Sequence, residues 1–281
     1  MKGLHFISGL PRSGSTLLAA LLNQNPAFHA AMSSPVFGIF NAALGAMGGS
    51  NEYALFLTEA QRSRILQGIF TGYYSDICDA APGGKVCFDT NRMWTARLPA
   101  LVKLFPEVRV ICCIRNPAWI ADSLEVLLGR NALDTTRLFG GDRERQSVYS
   151  RCAALLSNGR LIGGPLRALK EAYHGVHAEH LLLLDYDILV RQPKDAMALV
   201  YAFLGEPVFE HDFASVTYQA ETFDAQVMVR DLHRVAGPVR PRDRKTVLPP
   251  DLFTDLSGLA FWQRETSSAY RIVAANHGIQ S

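Results

Sequence analysis

Residues 4–22 read LHFISGLPRSGSTLLAALL, which predicts a strand, a loop and a helix in succession. It begins with an apolar run of the length of a buried β-strand and ends with a second apolar run that starts a helix. The loop between them, GLPRSGST at residues 9–16, has the glycine spacing of a phosphate-binding loop, G-x-x-x-x-G-K-[ST]. Backbone N–H groups of such a loop, together with the helix N-terminus, bind an anion. We therefore expect an anion site here, with an ordinary glycine- and serine-rich turn as the alternative.

The loop departs from the phosphate-binding pattern at one position. Ser15 stands where the pattern has lysine, and the cation of the loop is Arg12, which comes earlier. That lysine normally reaches the β- and γ-phosphates of a nucleoside triphosphate. Its absence argues against triphosphate hydrolysis and favours a loop built for one terminal anion group.

The string PRSGST at residues 11–16 resembles the 5′-phosphosulfate-binding loop of sulfotransferases. Those enzymes use 3′-phosphoadenosine 5′-phosphosulfate (PAPS), and in the Golgi branch, which includes the tyrosylprotein sulfotransferases, the loop carries arginine as it does here. The resemblance implies that Arg12 contacts the transferring sulfuryl group and the bridging oxygen. The residues that it implies for the 5′-phosphate follow directly: Ser13, Gly14, Ser15 and Thr16.

A second segment supports the same resemblance independently. An apolar run at residues 108–114 ends in Arg115-Asn116-Pro117, and Ser123 follows eight residues after the arginine. Sulfotransferases have this pattern at the end of a strand, and the resemblance implies that Arg115 and Ser123 bind the 3′-phosphate. A guanidinium at the end of a strand can also grip a phosphate with two hydrogen bonds. Taken alone, an arginine such as Arg115 is more often a surface ion-pair residue.

Two weaker matches extend the resemblance over most of the chain. Residues 180–193 are similar to a family passage that implies a place near the adenine for Tyr186, although a core tyrosine fits the same pattern. Residues 237–250 hold four prolines and four basic residues, so they read as a loop. In the family a loop at this place closes over the 3′-phosphate, which would involve Arg240 and Arg242. The other interpretation is a solvated basic surface run.

The general base is the point at which the family pattern breaks. The family has histidine after its second strand or glutamate after its first helix, and this chain has neither. Asp89 is the first candidate because it follows an apolar strand at the edge where open α/β sheets bind ligands. A structural Asp89 that caps the next helix is the alternative. His29 is the second candidate base, and Arg92 either neutralises the sulfuryl group or pairs with Asp89.

The pattern of the whole chain predicts an α/β fold of the P-loop NTPase type. We expect one domain over residues 1–281, with a central parallel sheet flanked by helices and a mobile loop at 237–250. The predicted strands are residues 4–8, 85–88, 108–114 and 180–185. The predicted helices begin near Ser15, Glu59, Trp94, Ala118, Glu144, Lys194 and Ala260.

Composition excludes several classes of protein. The 28 basic and 26 acidic residues leave a net charge of +2, which gives no electrostatic reason to expect nucleic acid or a membrane as partner. The five cysteines show neither a disulfide framework nor a zinc site, and no secretory signal opens the chain, so we expect a cytoplasmic protein without a metal. Residues 13–51 lack charged side chains, but prolines cut them into pieces too short to span a bilayer.

The sequence thus predicts transfer of a sulfuryl group from PAPS to a hydroxyl, phenol or amine, with 3′-phosphoadenosine 5′-phosphate (PAP) as product. The acceptor would be a small molecule or a peptide. The apolar residues 28–49 form either core packing or an acceptor pocket. Two alternatives stay open. A small-molecule kinase is suggested by residues 181–185 (LLLLD), which resemble a magnesium-binding strand. A nucleotide-binding protein that has lost the base is the other.

Overall fold

A parallel sheet of six strands forms the centre of the chain. The computed structural model describes residues 2–49, 51–79, 83–130, 138–218, 233, 235–243 and 245–273. The strands of the sheet are β1 (Gly3–Gly9), β2 (Phe28–Ala30), β3 (Val86–Thr90), β4 (Val110–Ile114), β5 (Leu181–Asp185) and β8 (Tyr270–Ile272). Their order is β2-β3-β1-β4-β5-β8, and every pair is parallel. Strands β6 (Val216–Tyr218) and β7 (Val235–Gly237) form a separate antiparallel ribbon.

Helices connect the strands and cover both faces of the sheet. They are α1 (Ser15–Leu22), α2 (Val36–Ala46), α3 (Glu59–Asp79), α4 (Leu98–Leu104), α5 (Pro117–Arg130), α6 (Asp142–Arg145), α7 (Val148–Leu156), α8 (Gly163–His174), α9 (Tyr186–Arg191), α10 (Pro193–Leu204) and α11 (Pro250–Ser257). Short 3₁₀ helices occur at Glu52–Phe56, Trp94–Arg97, Ala178–His180 and Phe261–Gln263.

The central strands are apolar along their length because both of their faces are buried. Phe6 and Ile7, neighbours on β1, are both fully buried, and they belong to two different cores. Phe6 packs with residues of α2, α3, α4 and α8, whereas Ile7 packs with residues of α1 and α10. Successive residues of a strand point to opposite faces, so two cores flank one sheet.

The predicted fold class is confirmed, as are the four predicted strands. The sequence did not reveal β2, β8 or the ribbon, each of which uses strands of three residues. The predicted helix near Ala260 is wrong, because the structure has only the 3₁₀ helix Phe261–Gln263 there. A regular helix, α11, ends just before it. Among the described residues, no helix is both long and apolar enough to cross a membrane.

The cysteines require one correction. Cys78 and Cys87 form a disulfide, which the sequence analysis did not expect. Cys78 lies near the end of α3 and Cys87 is the second residue of β3, and the N–H of Lys85 donates to the carbonyl of Cys78 (3.0 Å). The two cysteines meet in the fold although their separation of nine residues matches no cysteine motif. Cys112, Cys113 and Cys152 are buried free thiols.

Candidate active site

The carboxyl ends of β1, β3 and β4 open into a cavity of about 510 Å³. Its walls come from the loop after β1, the start of α1, the segment after β3 and the residues around β7. The side chains that carry polar or ionic chemistry into this cavity are Ser8, Arg12, Ser15, Thr16, Ser33, Thr90, Asn91, Arg92, Arg115, Tyr186, His233, Arg240 and Arg242. A cavity of this size at this edge of an open α/β sheet is a typical ligand site.

Two glycines give the loop after β1 its shape. Gly9 has φ 141°, and a Cβ there would lie 2.3 Å from the carbonyl oxygen of Cys113 on β4. Gly14 has φ 90°, and a Cβ there would lie 2.8 Å from Cδ2 of Tyr186. Both positions therefore need glycine for backbone conformation and for close approach. Arg12 also has a positive φ, 58°, which is uncommon for a residue with a side chain.

Ser13 ties this loop to the neighbouring strand. Its buried hydroxyl donates to the carbonyl of Cys113 (2.8 Å) and also contacts the carbonyl of Leu10. The hydroxyl is therefore occupied by the backbone, so Ser13 can offer a bound anion only its N–H group. Ser15 and Thr16 line the cavity in the first turn of α1, and Gly14 has no side chain to cap that turn. The first N–H groups of α1 are thus left for an anion.

The two motifs found in the sequence meet in the structure. Nε of Arg12 donates to Oγ of Ser123 on α5 (3.1 Å), which places the phosphate loop in contact with the helix after β4. Ser123 itself does not line the cavity, whereas Arg12 and Arg115 do. The guanidinium carbon of Arg115 lies 4.4 Å from the centre of the Tyr186 ring. Tyr186 thus packs against both Gly14 and Arg115; its predicted contact with adenine stays a prediction.

The cavity is strongly cationic. Among the described residues that line it are five arginines, at positions 12, 92, 115, 240 and 242, and no aspartate, glutamate or lysine. The side chains of Arg92, Arg240 and Arg242 have no hydrogen-bond or ion-pair partner within the described part of the chain. This arrangement favours an anionic ligand with more than one charged group.

The basic loop around residues 237–250 is held at its far end. Thr246 Oγ1 and the N–H of Val247 both donate to Oδ1 of Asp122 on α5, at 2.9 and 2.8 Å. At its near end, residues 237–240 and 242 line the cavity directly after β7. Arg240 and Arg242 therefore lie where they can meet an anion. Their role at a 3′-phosphate stays a prediction.

Asp89 lies beneath the cavity and does not line it. The residue is completely buried, and its pKa is raised by that burial. Oδ1 accepts from Nε1 of Trp94 (2.7 Å), and Oδ2 accepts from the hydroxyls of Tyr74 (2.7 Å) and Ser34 (2.5 Å). The structure thus gives Asp89 no contact with a ligand in the cavity. A structural Asp89 was the alternative to a general base, with the carboxylate expected to cap the next helix. The carboxylate instead accepts a hydrogen bond from the side chain of Trp94.

The other two titratable candidates also lie outside the cavity lining. His29 on β2 is partly buried, packs 6.0 Å from the ring of Tyr74, and has a pKa lowered by burial and by Lys85. Asp185 at the end of β5 accepts from the N–H of Asp187 (2.9 Å) and so caps α9. Burial raises the pKa of Asp185 to about 6. No group of three or more metal-binding side chains occurs among the described residues.

Sequence reasoning missed two features of the cavity. His233 lines it, but the surrounding sequence, DLHRVAG at residues 231–237, matches no catalytic motif that would have pointed to this histidine. Leu124, Leu138 and Leu161 give the cavity an apolar wall, and they come from separate parts of the chain. Such a wall becomes visible only when the chain is folded. In contrast, Phe40 from the uncharged stretch is fully buried in the core.

The fold and the site together define an α/β protein with a glycine-containing loop after β1 and an arginine after β4, both lining one cationic cavity. Residues 5–211 match the sequence model described as "Sulfotransferase family", and the chain belongs to that family.

The chain is also similar to several proteins of known name. The chain is 29% identical over 215 residues to the nodulation protein NoeE of Sinorhizobium fredii (strain NBRC 101917 / NGR234), covering 71% of this chain and 49% of that protein. The chain thus spans about half the length of this curated relative. Among solved structures, it is similar to a sulfotransferase domain from the curacin biosynthetic pathway (15% identity, 74% and 76% of the two chains, TM-score 0.49). Another is mouse sulfotransferase SULT7A1 complexed with PAP (14% identity, 95% and 86%, TM-score 0.47).

Proposed function

We propose that this chain transfers a sulfuryl group from PAPS to a hydroxyl, phenol or amine acceptor. The observation that carries the proposal is the charge of the cavity: five arginines and an uncapped helix N-terminus line it, with no carboxylate among the described lining residues. PAPS has anionic groups at both its 5′ and its 3′ ends. It therefore needs cationic groups at separated points, which this cavity offers.

The lining residues fit such a donor at both of its ends. The loop after β1 offers N–H groups at Gly14, Ser15 and Thr16 to a 5′-phosphate. Arg115, which follows β4 and lines the cavity, would bind the 3′-phosphate, to which a guanidinium can donate two hydrogen bonds. Arg240 and Arg242, which follow β7, would add further positive charge.

Arg12 would act during the transfer itself. The donor supplies the sulfuryl group, and negative charge develops on the departing 5′-phosphate oxygen. Arg12 lies on the phosphate loop, and its hydrogen bond to Ser123 fixes its guanidinium before the ligand arrives. A preorganised cation at the point where charge develops lowers the barrier. Arg92, which has no side-chain partner within the described residues, is placed to neutralise charge from the side of β3.

The apolar wall favours an acceptor with an apolar or aromatic body. Leu124, Leu138 and Leu161 lie on this wall, and Met32 lines the cavity as well. Small-molecule and peptide acceptors both meet this description. A strongly acidic polysaccharide would gain nothing from such a wall.

A kinase is less well supported by the same geometry. Asp185, the residue that would hold Mg²⁺, uses its carboxylate to cap α9 and does not line the cavity. Ser15 occupies the position of the triphosphate-binding lysine. Arg115 would also have no phosphate to bind in a nucleotide that lacks the 3′-phosphate.

The proposal is tested by following the release of PAP from PAPS in buffer that contains EDTA, with phenols, alcohols and amines as acceptors. We expect acceptor-dependent release without a metal. Arg12→Ala should reduce turnover by at least about a hundredfold, the scale for losing one charge-stabilising group, while PAP affinity changes much less. Turnover only with ATP and Mg²⁺ would contradict the proposal.

A further inference from the structure

The transfer requires a proton acceptor, and neither residue expected from the sequence reaches the cavity. Asp89 is completely buried with both oxygens hydrogen bonded, and His29 lies on β2 outside the lining. The described titratable residues that do line the cavity are five arginines, Tyr186 and His233. Arginine stays protonated in proteins, and a phenol is a proton donor near neutral pH. Among these described residues, the imidazole of His233 is the group that can accept a proton near neutral pH.

The position of His233 is set by the ribbon. Val235, at the start of β7, pairs with Tyr218 of β6. The hydroxyl of Tyr218 accepts from the N–H of Met32 (3.0 Å), directly after β2. This hydrogen bond ties the ribbon to the segment that follows β2, and His233 stands two positions before Val235 in the chain. Met32 and Ser33 of that segment line the cavity together with His233.

We infer that His233 is the general base that takes the proton from the acceptor. This inference rests on the proposed function and deepens it by naming a catalytic residue. The acceptor lone pair forms the new bond to sulfur as the acceptor proton passes to the unprotonated ring nitrogen of His233. The bond between sulfur and the bridging oxygen breaks, and its electron pair stays on the 5′-phosphate. His233 then returns the proton to solvent.

His233 shares the cavity with several cations that could bind an anionic sulfuryl donor. The groups that share the cavity with His233 are Arg12 on the phosphate loop, Arg92 after β3, Arg115 after β4, Tyr186 on α9, and Arg240 and Arg242 after β7. These cations attract the negatively charged groups of the donor to the same cavity. After proton transfer, the two negative charges of the departing phosphate offset the new imidazolium.

The test replaces His233 by glutamine and compares it with a matched control, His177→Gln. His177 lies just before the 3₁₀ helix that leads into β5, at the opposite edge of the sheet. PAP release from PAPS with water as the acceptor is measured, because this reaction needs no knowledge of the natural acceptor. Titration with PAP and a melting curve are recorded for each protein.

We expect His233→Gln to lower turnover by about 10²- to 10⁴-fold, the usual contribution of a general base. The affinity for PAP and the melting temperature should stay close to those of the wild type and of His177→Gln. The acidic limb of the pH–rate profile should disappear in the variant. In His233→Ala, added imidazole should restore part of the turnover, which a structural role would not allow.

Turnover within about threefold of wild type, on the scale set by general-base catalysis, would overturn the inference. A loss of PAP affinity as large as the loss of turnover would also overturn it, since His233 would then be a binding residue. Failure of the proposed function looks different. In that case the wild type itself neither binds PAP nor consumes PAPS.

Discussion

Replacing Asp89 by asparagine distinguishes a structural carboxylate from a catalytic one. Asp89 accepts three hydrogen bonds in the core, from Trp94, Tyr74 and Ser34. Asparagine has nearly the same shape but only one acceptor oxygen. If that oxygen faces Tyr74 and Ser34, the amide NH₂ group must face the indole N–H of Trp94. The amide NH₂ of the asparagine and the indole N–H of Trp94, both buried donors, then face each other where the wild type has a 2.7 Å hydrogen bond between Trp94 and Asp89.

The cost follows from this geometry. Losing one hydrogen bond to a charged group costs about 1.5–3 kcal/mol, and leaving a buried donor unpaired costs about 1–3 kcal/mol. The raised pKa of Asp89 shows that burial opposes its charge, which reduces the first contribution. We therefore expect Asp89→Asn to lower the free energy of unfolding by roughly 3 kcal/mol, which corresponds to a fall in melting temperature of roughly 10 °C.

Chemical denaturation and turnover per folded molecule are measured on the same preparation. Tyr74→Phe is the matched control, because it removes one of the three donors and leaves the carboxylate in place; it should cost about 1 kcal/mol. We expect both variants to keep turnover within about tenfold of wild type at a temperature where they are folded. Unchanged stability together with a loss of turnover of 10²-fold or more, the mark of a lost general base, would refute this account of Asp89.

Three other substitutions examine separate parts of the site. Arg115→Ala should weaken PAP binding by about 10- to 100-fold in calorimetry, because a hydrogen bond to a charged group is lost. The affinity for ADP, which lacks the 3′-phosphate, should change little. If the affinities for PAP and ADP fall equally, Arg115 does not bind the 3′-phosphate. Ser123→Ala should lower kcat by about tenfold with PAP affinity unchanged, because Arg12 loses its hydrogen bond to Oγ of Ser123 (3.1 Å). Weaker PAP binding with an unchanged kcat would show instead that Ser123 binds the 3′-phosphate. Asp185→Asn should stabilise the protein near neutral pH. The folded pKa of Asp185 is raised from 3.8 to about 6, so its contribution to stability is present below the lower value and lost as pH rises through the upper one. At about 1.36 kcal/mol per pKa unit, the free energy of unfolding of Asp185→Asn should exceed that of the wild type by roughly 3 kcal/mol above pH 6 and equal it below pH 4. Urea titrations measure this difference, and a difference that does not depend on pH would contradict the prediction.

The sequence predicted the central strands and the anion loop because each is specified locally. An apolar run buried on both faces marks a central parallel strand without knowledge of its neighbours. Gly9 and Gly14 lie in a loop whose conformation and close contacts require glycine, so the spacing of these glycines in the sequence indicates the loop. Arg115 was identified in the same way, because it directly follows an apolar strand in the sequence.

The missed features depend on contacts between distant segments. β2 and β8 are three residues long and are defined by their pairing partners rather than by a pattern of their own. The surroundings of Asp89 come from α3 and from the segment before α2, so its burial is visible only in the fold. His233 reaches the cavity through the ribbon, which no local motif marks.

Binding of PAP by the cationic cavity is measured by a thermal-shift titration, run beside ADP and beside ATP with Mg²⁺. A ligand at a hundredfold its dissociation constant stabilises the folded state by about 2.7 kcal/mol, which is worth roughly 5–10 °C in melting temperature. The charged cavity predicts this shift with PAP in the presence of EDTA, and a much smaller shift with ADP. Stabilisation by ATP and Mg²⁺ without stabilisation by PAP would contradict the account.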